Sequence, residues 1–151
     1  MSDIETVAQA CGTIFIGGPR EIAVSDDLVG GNWILWYCPL EKVTCLDVNS
    51  TFLVAVGGGQ FAACTQRSRG RVWQVLDLSS DNLVALAITG KGPGAVAYAG
   101  TDTGKLFKVK LRRRRSLADW LGMSQTGPEL QSERMEGPQP VEMSGLEVGA
   151  E

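Results

Sequence analysis

A chain of 151 residues has room for one ordinary domain, and 44% hydrophobic with 21% charged residues is a globular balance, not a disordered one. The net charge of −3 is unevenly spread: residues 1–115 carry 13 Lys/Arg against 10 Asp/Glu, whereas residues 116–151 carry one basic residue, Arg134, against seven acidic ones. A mildly basic body with an acidic tail lacks the strongly basic footprint that makes nucleic acid an expected partner, and the absence of histidine removes triads, most zinc sites and the usual general base.

The opening MSDIETVAQACG has two acidic and no basic residues ahead of its first apolar run, the wrong charge for a secretory signal or a presequence. No apolar run approaches the ~20 residues of a membrane span. Cys11, Cys38, Cys45 and Cys64 are scattered without a Cys-x-x-Cys pair, which reads as reduced thiols packed as small hydrophobes. The expected compartment is cytoplasmic or nuclear, with no membrane partner.

In chain order the first signal is an internal repeat. At an offset of 40, Ile14–Gly18 falls on Val54–Gly58, Ser25 on Thr65, Gly30 on Gly70, Trp33 on Trp73, and Val43–Val48 on Leu83–Ile88. The second copy shows four short runs of β-formers, Val43–Val48, Phe52–Val56, Gln60–Thr65 and Val72–Leu78. Asn49-Ser50, Gly57-Gly58-Gly59 and Arg67–Gly70 break them, supplying turn residues where the chain must reverse. None of the runs keeps a helical period. A third copy begins at Leu83, continues through Ala95–Ala99 and Lys105–Leu111, and then loses the pattern, with Trp120 as a displaced partner of the repeat tryptophans.

The expected organisation is an all-β repeat domain over 1–111 (repeats 3–42, 43–82 and 83–111), a basic run and short helical motif over 112–122, and a disordered acidic tail over 123–151. Ser25, Asp27, Gly30 and Trp33 resemble the Asp-box turn of sialidase-like propellers, with one residue too many before the glycine. In the second copy Thr65, Gly70 and Trp73 match, but Arg67 takes the place of the Asp. Ala97–Val109 is similar to the second and third strands of WD-like blades. The resemblance implies propeller-type blades and a structural role for the box. The family's catalytic residues have no counterpart here.

A propeller closes with four or more blades, and this chain holds two and most of a third. The alternative is a β-trefoil or other threefold β fold, which closes with three such repeats. An incomplete ring implies a protein partner or self-association. The function expected is therefore a non-enzymatic interaction or scaffold module within a larger assembly. The alternative is a carbohydrate- or ligand-binding β domain, lectin-like or sialidase-like; glycoside chemistry in it would need two placed carboxylates, which are not evident.

No residue set suggests catalysis, a metal or a cofactor. Asp26-Asp27 reads as a turn, and Gly100–Lys105 is one residue short of a phosphate loop and opens a strand. Trp33 and Trp73, with Gly30 and Gly70, are structural repeat positions, the two tryptophans being expected in equivalent buried sites between blades. One surface feature stands out: Arg112, Arg113, Arg114 and Arg115, a candidate dock for an acidic partner. Ser116 follows as a candidate phosphorylation site. Leu117, Trp120 and Leu121 share one face of a short helix capped by Ser116, a candidate recognition motif.

Overall fold

The computed structural model describes residues 3–10, 12–26, 31–91, 94–113 and 128–135. Their twelve strands form three four-stranded antiparallel sheets. The first joins β1 (Thr6–Ala10), β2 (Thr13–Gly18), β3 (Glu21–Ser25) and β4 (Ile34–Tyr37) in sequence order. The second joins β5 (Cys45–Val48), β6 (Phe52–Gly57), β7 (Gln60–Thr65) and β8 (Trp73–Asp77) in the same way. The third joins β9 (Leu83–Thr89), β10 (Val96–Thr101), β11 (Leu106–Arg113) and β12 (Pro128–Arg134).

The turns follow from their residues. Between β5 and β6 the Asn49 carboxamide oxygen accepts from the Thr51 and Phe52 N–H groups at 2.8 and 2.7 Å, an Asx turn. Gly58 and Gly59 alone join β6 to β7, and Gly58 adopts φ +56°, which glycine supplies without a Cβ penalty. Gly57 is needed for a different reason: a Cβ there would sit 1.6 Å from the Lys42 carbonyl oxygen. After β7, the Thr65 hydroxyl accepts from Ser68 N–H and caps a single 3-10 turn, Gln66–Ser68.

The sheets stack face to face around two separate cores. Phe15, Ile22 and Val24 of the first sheet meet Leu46, Leu53, Ala55, Ala62 and Cys64 of the second. On its other side the second sheet offers Phe52, Val54, Val56, Phe61 and Ala63 to Ala97, Ala99, Phe107, Val109 and Leu111 of the third. The middle sheet is covered on both faces, so β6 is buried throughout and reads as an unbroken apolar run. The innermost strands lie side by side, β1 against β5 and β5 against β9. A trefoil would gather its three repeats on one common core, so the two-core stack is of the propeller kind.

Two features depart from the sequence reading. The hairpin pairs Gly18↔Glu21 and Gly57↔Gln60 put β2 and β3 in register with β6 and β7 at an offset of 39, not 40. Phe15 is therefore the counterpart of Val54, and the gapless match of Ile14–Gly18 to Val54–Gly58 is one residue out. Repeated Val/Ile-Gly-Gly triplets produce that match, but a one-residue slip exchanges the two faces of a strand.

The second departure lies in the region expected to be a disordered tail from residue 123. There Pro128–Arg134 pairs with β11 along its length, from Phe107↔Arg134 to Arg113↔Pro128. β12 is the fourth strand of the third sheet. It has one inward apolar residue, Leu130, which packs against the second core. A strand with half-buried Leu130 followed by exposed Ser132, Glu133 and Arg134 has the composition of a tail. Pairing with β11 is what orders it. The same ladder carries β11 through Arg112 and Arg113, past the expected domain edge at 111.

Candidate functional site

Exposed large apolar side chains are distributed unequally over the stack. Among the described residues they are Ile4, Val7, Trp33, Ile34, Leu35, Tyr37 and Val84, and all but Val84 belong to the first repeat. Ladder pairing explains the concentration. Val7, Ile16, Ala23 and Leu35 form one row across the four strands of the first sheet, on the side facing away from the second. Their counterparts in the second sheet are Leu46, Ala55, Ala62 and Val75, also one row, and those residues pack into the core against the first sheet. No described sheet covers this row: Val7 and Leu35 at its ends are 60% and 54% exposed, while Ile16 is half-buried and the small Ala23 is buried between its neighbours.

The tryptophans follow the same logic. Trp73 is half-buried beside the core between the first two sheets, and its indole N–H donates to the Tyr37 and Gly70 carbonyls at 2.9 Å each. Gly70, at φ +75°, lies so close that an added Cβ would be 2.8 Å from Trp36 Cβ. Trp33, in contrast, is 41% exposed, so the expected matching burial fails. Trp73 packs toward the sheet that precedes its own, and nothing described precedes the first sheet. Trp36, which the repeat pattern did not mark, fills the inter-sheet core with its ring edge-on to Phe15 at 6.0 Å.

At the other end of the stack, the outward side of the third sheet carries Thr89, Lys108, Lys110 and Glu133 with small residues such as Ala85 and Ala87. Tyr98 and Leu106 also lie there, half-buried. Lys108 stands opposite Glu133, a cross-strand arrangement of opposite charges. Arg112 is exposed on β11 opposite Glu129, and Arg113 pairs with Pro128. Gly30, Arg114, Arg115, Ser116, Leu117, Trp120 and Leu121 lie outside the described residues.

Between the first two sheets opens a cleft of about 850 Å³, with Phe15, Val24, Ile34 and Trp36 on one side and Arg69 and Arg71 on the other. Polar chemistry elsewhere is sparse. Asp81 accepts from Thr103 and pairs with Lys105 at 2.8 Å each, contacts that hold its carboxyl below the ordinary range. Burial pushes the Cys38 thiol up to about 11 and Cys64 to about 12, so both are neutral and unreactive near pH 7. Among the described residues no cluster of His, Cys, Asp or Glu could hold a metal, and no helix is long and apolar enough to cross a membrane.

No family model and no curated protein matches the chain. Among solved structures it is similar to Saccharomyces cerevisiae Sqt1, a WD-repeat propeller, with a TM-score of 0.60 and 12% identity. The fold is that of part of a β-propeller. The match covers 90% of this chain and 36% of Sqt1, so three blades correspond to about a third of that structure's length.

Proposed function

We propose that this partial propeller is a protein-interaction module whose first blade is covered, in the working assembly, by a further apolar blade. The supporting observation is the row Val7, Ile16, Ala23 and Leu35, which repeats the docking row Leu46, Ala55, Ala62 and Val75 one blade earlier. The fitting occupant is a β-sheet with large apolar side chains, as Phe15, Ile22 and Trp36 supply at the next interface. In this reading the Asp-box-like turns are structural, Arg112–Arg115 with Leu117, Trp120 and Leu121 add a contact to an acidic partner, and Ser116 modulates it. The place of action is cytoplasmic or nuclear.

The test is molar mass by light scattering with binding of a hydrophobic dye. Without its partner the chain should associate through the open face and bind dye. Val7→Lys with Leu35→Lys should lower both, because each lysine puts a charge where a blade must dock. A wild-type chain that stays monomeric, unfolds cooperatively and binds no dye would refute the proposal.

A further inference from the structure

The cleft between the first two blades has a construction that inter-blade packing does not account for. Ile34 lies on the inward side of β4, in the same row as Val24, yet is 59% exposed. The second blade turns away opposite it through the loop Gln66–Arg71, which places Arg69 and Arg71 across the gap. Arg67, Arg69 and Arg71 are exposed, and no described carboxylate forms an ion pair with any of them. An apolar floor thus faces two guanidiniums, and among the described residues Asp26 is the one acidic side chain lining the cleft.

The third wall is a strand edge. All four residues of β4 border the cleft, and β4 pairs with β3 on one side only. Cys38 N–H donates to the Arg20 carbonyl, so by the alternation of an antiparallel ladder Ile34 and Trp36 turn their backbone groups toward β3. Those of Leu35 and Tyr37 point to the free edge. The Tyr37 carbonyl is there taken by the Trp73 indole, and Leu35 retains an N–H and a C=O in position for an incoming strand.

We infer that this cleft binds an extended acidic peptide, which adds to the edge of β4 at Leu35, sets an apolar side chain against Ile34 and Trp36, and places a carboxylate on Arg69 and Arg71. Backbone pairing supplies affinity and the alternating side chains supply selectivity, one set entering the apolar floor and the other meeting the arginines. The planar guanidinium fork suits a carboxylate better than an isolated point charge would. The site meets the open blade face at Leu35, whose side chain belongs to that face and whose backbone belongs to this edge, and the arginine variants test the cleft without touching the face.

The probe is a fluorescein-labelled peptide of alternating Val and Glu, titrated with the whole chain by fluorescence anisotropy. Saturable binding is expected, weakening as salt rises. Replacing Glu by Lys in the peptide, or N-methylating the backbone donors that face β4, should each weaken it by roughly tenfold or more, the scale for losing charged or ladder hydrogen bonds. Arg69→Asn with Arg71→Gln should do the same while the circular dichroism spectrum stays unchanged, since asparagine tolerates the left-handed backbone of Arg69 at φ +54°. Lys91→Gln, at an exposed lysine outside both candidate sites, should bind as the wild type does. Equal binding of the Lys peptide, or insensitivity to salt in the wild-type chain, overturns the inference whether or not the double variant folds.

Discussion

Burial of Cys64 and Cys38 ties single atoms to the stability of an interface. Both thiols lie in the core between the first two blades, and burial raises Cys64 from 9.0 to about 12 and Cys38 to about 11. In the unfolded chain both ionise near their ordinary value of 9.0. Their contribution is therefore complete below that value and is lost as pH rises toward the folded values. The urea midpoint should fall between pH 9 and the onset of general alkaline unfolding. Cys64→Ala should make that fall shallower, although the smaller side chain lowers the midpoint at neutral pH. An unchanged slope would mean that the thiol is solvated in the folded protein. Glycine makes a parallel point. A run of three glycines reads as a turn, and Gly58 makes one, but Gly57 and Gly59 are required because the Lys42 and Ser79 carbonyls approach them.

Among the elements, β12 has the weakest local signal and a definite structural role. Its Leu130 covers the second core, and its ladder shields the otherwise free edge of β11, where Lys108, Lys110 and Arg112 alternate with Phe107, Val109 and Leu111. Removing residues 128–151 should lower the unfolding midpoint well below that of a chain lacking only 136–151. The two truncations are compared by urea denaturation, and equal midpoints would show that the strand adds nothing to the third blade. Alternating charge along β11 is legible in sequence, whereas its partner is not, because PELQSER has no β pattern of its own and depends on a neighbour to pair with.

The whole molecule has polarity: the first blade ends in exposed valine, leucine and tyrosine, and the third ends in lysine, glutamate and small residues around half-buried Val96, Tyr98 and Leu106. Such a stack can add a blade at one end, while charge discourages addition at the other. Making the second end apolar, with Lys108→Leu and Lys110→Leu, should turn limited association into head-to-tail polymers, because two complementary but different faces make a contact that need not close. Light scattering across a concentration series reads the change. A mass that stays at the wild-type value would place the polarity elsewhere.

From the sequence alone come the β class, the repeat of about 40 residues, most strand positions in the second copy and the incomplete blade count. All of these depend on local periodicity and turn chemistry, which a chain carries without its neighbours. The arginine loop at residues 67–71 was visible only as a break between strands. Its pairing with an apolar cleft depends on the stacking of the first two sheets, which sets the loop across from β4. Which face of each strand turns inward depended on tertiary structure, since hairpin register, not resemblance between copies, decides whether Phe15 or Ile16 faces the second blade. So did the unequal fates of Trp33 and Trp73. Equivalent residues in a repeat share a backbone position, but burial needs a neighbouring sheet, and no described sheet lies against that side of the first blade.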